Sequence, residues 1–75
     1  FLVERKVMVE QIVKIMREKL NDREFKIMTL RYGLGGNFEH TQQETADILH
    51  ISRSYISRIE TKAIDLIREE FSNLN

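Results

Sequence analysis

A chain of 75 residues with 41% hydrophobic and 32% charged side chains has the composition of one small globular domain whose core must be packed economically, and no low-complexity stretch reads as disorder. Twelve acids cancel twelve bases, which argues against a free-standing, high-affinity nucleic-acid binder, because backbone affinity comes mainly from Lys and Arg displacing counterions. Cysteine is absent, which excludes disulfides and thiolate zinc sites, and no apolar run nears the roughly 20 residues that span a bilayer, nor does a signal-peptide pattern open the chain.

The sequence begins at Phe1 with an amphipathic pattern already under way. It therefore reads as a piece of something longer, a single domain over residues 1–75. Proline is absent and all the glycines fall between Gly33 and Gly36, so one long break is expected in an otherwise all-helical chain. The first helix should run from about Val3 to Lys19, with Val9, Ile12, Val13, Met16 and Leu20 on one face at three- and four-residue steps. Asn21 to Glu24 reads as a capping box, in which the Asn side chain takes one free amide and Glu24 reaches back for another.

The second helix then carries Phe25, Ile27, Met28, Leu30 and Leu34. It should end at Gly33 or just beyond, where a positive φ costs glycine little. "GGNFEH" is the connecting loop. Thr41 to Glu44, "TQQE", is another capping box and opens a short third helix with Ala46, Ile48 and Leu49. Ser52 can cap a fourth helix after a tight turn, continuing through Ile56, Ile59, Ala63, Leu66 and Ile67 towards Phe71. The fold class is all-α: a bundle of about four helices.

The last two helices carry the information. A helix-turn-helix needs a small residue where its helices cross and apolar residues flanking the turn and along the inner face of the second helix. Ala46, Leu49, Ile51, Ile56 and Ile59 supply these over residues 41–62. Two positions fit poorly: Thr45 stands where an apolar residue is usual and His50 where glycine is usual. At about 100° per residue, Ser54, Ser57, Arg58 and Thr61 point away from the isoleucines, with Arg53 and Lys62 on the flanks. From Ser52 to Lys62 the bases Arg53, Arg58 and Lys62 face one acid, Glu60, so this face is locally positive. Arg53 lies in the first turn, the part of a recognition helix that reaches base edges, and an arginine can bond a guanine bidentately.

"LNDREFKIMTLRYGL" (Leu20 to Leu34) and "TQQETADILHISRSYISRIETKAIDLI" (Thr41 to Ile67) resemble region 4 of the sigma-70 family of bacterial transcription initiation factors, over roughly Leu20 to Phe71. "LRYGL" and "SRSYISRIE" look most like the sporulation members, particularly the mother-cell type. The resemblance implies a bacterial cytoplasmic protein, carried to the nucleoid by RNA polymerase, that reads the minus-35 promoter element. By that resemblance Arg53, Ser54, Ser57 and Arg58 face the bases. Arg23, Arg31, Gln42, Gln43 and Lys62 hold the DNA backbone, with the amides at the start of the third helix meeting phosphate. Ser54 replaces a family glutamate and Arg58 a glutamine, so the preferred promoter should differ from the housekeeping one. The flap-tip helix of the polymerase beta subunit is an implied second partner, for which Ile64, Ile67 and Phe71 are candidates, and an anti-sigma factor is a third. A module delivered by a large enzyme gains effective concentration, which fits a neutral chain.

Plainer readings stand beside these. Arg23 and Arg31 also suit exposed ion pairs, Ile64, Ile67 and Phe71 also suit core cover, and Tyr55 either packs on its own domain or stacks on DNA. Met8, Met16 and Met28 read as core, and His40 and His50 as loop and turn residues without the partners of a metal or catalytic site. No cofactor, small-molecule substrate or enzymatic activity is expected. Two other functions remain open: a homodimeric repressor joined through its first helix, and a protein-interaction module for polymerase or an anti-sigma factor.

Overall fold

The computed structural model describes residues 2–74, with side chains over 6–73. Among these residues the structure is all helical: α1 (Leu2–Lys19), α2 (Asp22–Tyr32), α3 (Gln42–Leu49) and α4 (Arg53–Leu74), with a single turn of 3-10 helix at Leu34–Gly36. Both capping boxes form. The Asn21 side chain accepts from the Glu24 N–H at 2.8 Å while Glu24 accepts from the Asn21 N–H at 3.0 Å, and Thr41 and Glu44 repeat the exchange at 3.0 and 2.8 Å. These bonds satisfy amides that a helix start otherwise leaves open. Gly33 ends α2 with φ 64°, and a Cβ there would lie 3.0 Å from the Asn37 carbonyl oxygen.

α2 and α4 form a shared spine. Ile27, Ala46, Ile56 and Ile59 make one buried cluster joining α2, α3 and the first half of α4, with Leu49, Ile51 and Tyr55 against it. Met16, Leu20, Met28 and Ala63 make another, joining α1, α2 and the second half of α4. Adjacent residues Ile27 and Met28 thus serve different clusters, and a 22-residue α4 is long enough to complete both. Fully burying an isoleucine such as Ile27 or Ile56, each 0% exposed, contributes roughly 1.5–3 kcal/mol.

The two misfits of the helix-turn-helix pattern have local explanations. Thr45 is 0% exposed, and its hydroxyl donates to the Thr41 carbonyl at 2.8 Å, so it fills an apolar site without leaving a buried polar atom unpaired. His50 takes the left-handed conformation, φ 57°, that glycine usually supplies after a helix. The Ile51 N–H bonds the Ala46 carbonyl at 3.0 Å, closing the tight turn.

Some expectations are corrected. Met8 is not core but 54% exposed, because no other helix covers this stretch of α1, where Val7 and Val9 are about half exposed as well. Ile48 lies on the outer side of α3 and is exposed. Ile15, absent from the expected α1 stripe, is buried. Leu34 follows α2 and opens the 3-10 turn, although it still packs on the core.

Candidate nucleic-acid interface

The start of α4 is placed by its cap. Ser52 Oγ accepts from the Tyr55 N–H at 3.1 Å, which sets the first turn, and Ile56 and Ile59 anchor the inner face in the core. Arg53, Ser54, Ser57 and Arg58 are consequently all exposed. Arg53, Ser54 and Ser57 line one shallow polar concavity with Gln42 of α3, and Arg53 Nε donates to Gln42 Oε1 at 3.4 Å. Gln43 instead turns along its own helix and donates to Asp47 at 2.9 Å. The capping box uses the Glu44 and Thr41 amides, so the N–H groups of Gln42 and Gln43, in the first turn, have no intrahelical acceptor. The starts of α3 and α4, with Gln42 and Arg53, thus meet at one concavity.

The expected DNA-contacting cations other than Arg53 divide into two groups, the base-reading Arg58 with Arg23 and the backbone-holding Arg31 with Lys62. Arg23 lies over the Tyr55 ring at 5.1 Å, and Arg58 over the same ring at 5.8 Å. Among the described residues neither has a carboxylate partner. Arg31 and Lys62 do. Arg31 is ion-paired with the buried Glu60 and donates to the His40 carbonyl at 2.6 Å, while Lys62 donates to the buried Glu24 at 2.6 Å. Both pairs tie α2 to α4. Glu60 and Lys62 are about 200° apart around α4, so the ties lie on opposite sides of that helix.

These pairs set the electrostatics of the interior. The Lys62 ammonium holds the Glu24 carboxyl below the usual carboxylate range, against burial, which pushes it up. Glu60 raises the Arg31 guanidinium further. Burial, and then Glu60, push the Tyr32 phenol up, and its hydroxyl sits 3.5 Å from Glu60 Oε2. Glu44 is held low by the Thr41 N–H. His40 fastens the loop, its backbone N–H and Nδ1 lying 2.9 and 3.1 Å from the Leu30 carbonyl. Glu24, Glu60 and His40 were missed as organisers of the site. Glu24 is legible in the sequence only as a cap, and nothing local marks Glu60, which lies 29 positions from its partner.

A second feature lies on another face. Val9, Ile12 and Met16 of α1, Met28 and Tyr32 of α2, Leu34, and Ile64 and Ile67 of α4 line an apolar groove of about 310 Å³. Two of the three candidate polymerase-contact residues, Ile64 and Ile67, belong to it. Phe71 lies outside its lining, half-buried further along α4. Among the described residues no three His, Asp or Glu side chains converge as a metal site, and no helix is long and apolar enough to cross a membrane.

Comparison with known proteins agrees with this geometry. Residues 18–69 match the family model of sigma-70, region 4. The chain is 46% identical over 65 residues to an RNA polymerase sigma-E factor of Clostridium acetobutylicum, covering 87% of this chain and 28% of the relative. It is 46% identical over 59 residues to the RNA polymerase sigma-K factor of Bacillus subtilis, covering 79% and 20%, and 48% identical over 52 residues to an RNA polymerase sigma-28 factor of Bacillus thuringiensis subsp. kurstaki, covering 69% and 22%. It therefore spans less than a third of the length of these relatives. No solved structure matches significantly. With a capped helix-turn-helix, an exposed Arg/Ser face and a region 4 match over most of its length, the chain belongs to the sigma-70 family, in the part occupied by region 4.

Proposed function

We propose that this domain recognises the minus-35 element of promoters as part of the RNA polymerase holoenzyme, in a bacterial cytoplasm, with no catalytic chemistry of its own. One observation carries the reading: Arg53, Ser54, Ser57 and Arg58 stand together on the outward side of α4 while its isoleucines are buried. Arg53 and Arg58 supply base-edge donors and the serines adaptable hydroxyls. The open amides of Gln42 and Gln43 and the cation of Arg23 take phosphates on either side. Arg31 and Lys62 serve chiefly to fix α2 against α4, and Lys62, about half exposed, keeps a face towards the backbone. The apolar groove containing Ile64 and Ile67 takes a helix of the polymerase, the beta flap, and an anti-sigma factor would compete for the same surfaces.

Arg53→Ala tests the reading. It removes an exposed side chain with one long hydrogen bond, so thermal unfolding should be unchanged. Transcription from the cognate promoter by reconstituted holoenzyme should fall about tenfold or more, as expected for one bidentate base contact of roughly 1–3 kcal/mol. Undiminished transcription would refute base reading by this face. The exposed Val7, Met8 and Val9 of α1 favour one other reading, a homodimer joined through α1. Sedimentation decides it: a stable dimer binding a palindrome would replace the promoter module.

A further inference from the structure

Arg53 and Arg58, on the outward face of α4, each have one neighbour that orients them. For Arg53 it is the side-chain amide oxygen of Gln42, Oε1. For Arg58 it is an aromatic ring, since its guanidinium carbon lies 5.8 Å from the centre of Tyr55, three residues earlier on the same face of the helix. We propose that Tyr55 is a positioning residue for base recognition, its ring holding the Arg58 guanidinium in the orientation from which it reads a base pair and coupling it to Arg23. The inference rests on the promoter-reading function and deepens it.

The ring is itself held. Tyr55 is half-buried against Ile27, Ala46, Ile56 and Ile59, and its backbone N–H is bound by Ser52 Oγ. It presents a fixed π surface to solvent-exposed side chains. Arg58 has no carboxylate partner among the described residues, so without the ring its long, rotamer-rich side chain would be ordered only on binding. The ring restricts it beforehand through cation–π attraction. Arg23 reaches the same ring from α2 at 5.1 Å. Two like charges therefore converge on one ring, and a DNA phosphate taken by Arg23 would relieve their repulsion and settle Arg58 more firmly in its reading orientation. In this way the backbone-holding helix and the reading helix are linked at one side chain.

The ring acts on discrimination rather than on attachment alone. A purely structural Tyr55 would, when altered, weaken binding to every DNA sequence alike; a positioning Tyr55 governs the preference at the one base pair that Arg58 reads.

The test uses holoenzyme assembled with the full chain that carries this domain, transcribing from promoters with a randomised upstream element. Wild type, Arg58→Ala, Tyr55→Phe and Tyr55→Leu are compared, with a ring-fluorinated phenylalanine at position 55, which keeps the size of the ring and depletes its negative face. The base pair whose preference disappears in Arg58→Ala identifies the site that is read. Tyr55→Phe should retain that preference, and both the fluorinated ring and Tyr55→Leu should reduce it by roughly two- to fivefold, leaving preferences elsewhere unchanged. Equal preference in the phenylalanine and its fluorinated form would overturn the inference even if Tyr55→Leu fails to fold, as would a loss spread evenly over all positions. In either case the promoter-reading function survives if Arg53→Ala still abolishes selection. A wild type with no preference at any position would remove the function and the inference with it.

Discussion

Arg23 and Arg31 stand on one helix and look interchangeable in the sequence, yet they meet opposite surroundings. Arg31 is enclosed by Glu60 and the His40 carbonyl, whereas Arg23 lies over the face of Tyr55 with no carboxylate partner among the described residues. Removing Arg31 strands a buried carboxylate, and Arg31→Gln is expected to lower the unfolding free energy by about 3 kcal/mol in chemical denaturation. Arg23→Gln should leave stability within about 0.5 kcal/mol and instead weaken DNA binding, reducing its salt slope by about one. A reversed pattern in those paired measurements would contradict the division. The Lys62–Glu24 pair makes a pH prediction. Because the folded state lowers the Glu24 pKa, the stability it contributes is complete above the unfolded value, near 4.3, and is lost as pH falls through the lower folded value. Lys62→Met removes the main cause of that lowering. Urea midpoints of wild type and variant should therefore differ at pH 6 and draw together towards pH 3. A gap that persists at low pH would assign the effect to packing alone.

At the scale of the element, the helix starts were legible because capping is local. Asn21 with Glu24, and Thr41 with Glu44, exchange bonds across three residues, and nothing distant is needed to form them. The apparent defects in the helix-turn-helix pattern were legible as anomalies but not as solutions. Thr45 needed a carbonyl four residues back, and His50 had to carry a positive φ. That conformation costs a non-glycine residue roughly 1–2 kcal/mol. His50→Gly should accordingly raise stability by about 0.5–1 kcal/mol, a few degrees in melting temperature, since its gain in the folded state exceeds what the more flexible unfolded chain takes back. An unchanged or lower melting temperature would show that the histidine side chain contributes something the backbone geometry does not explain. The stripe of α1 was less legible. Met8 has the right spacing for a core residue and nothing to pack against, because periodicity specifies a face but not how far along the helix that face is covered.

For the molecule as a whole, neutrality conceals segregation. Two of the basic residues are consumed in holding α2 to α4, while Arg23, Arg53 and Arg58 remain on the outside without acidic partners among the described residues. The apolar surface is segregated too. One cluster underlies the helix-turn-helix, and the other borders a groove lined by α1, α2 and the later part of α4; under the proposed function the first supports the DNA contact and the second the polymerase contact. Ile64→Glu separates the two surfaces. Ile64 is 38% exposed in the groove lining, so the variant should fold with stability within about 0.5 kcal/mol, yet bind core polymerase at least tenfold more weakly, as an equilibrium pull-down or fluorescence titration would show. Wild-type affinity would place the polymerase contact elsewhere.

By itself the sequence determined the all-helical class, the helix starts and stops, and which side of α4 carries polar chemistry, because each depends on residues within one or two turns of one another. Only the tertiary structure decided which cations are spent inside the fold, which apolar residues stay uncovered, and that one tyrosine gathers arginines from two helices. Those outcomes depend on where α2 crosses α4, which brings together residues nearly 40 positions apart, such as Glu24 and Lys62, 38 positions distant, and no local pattern records the meeting.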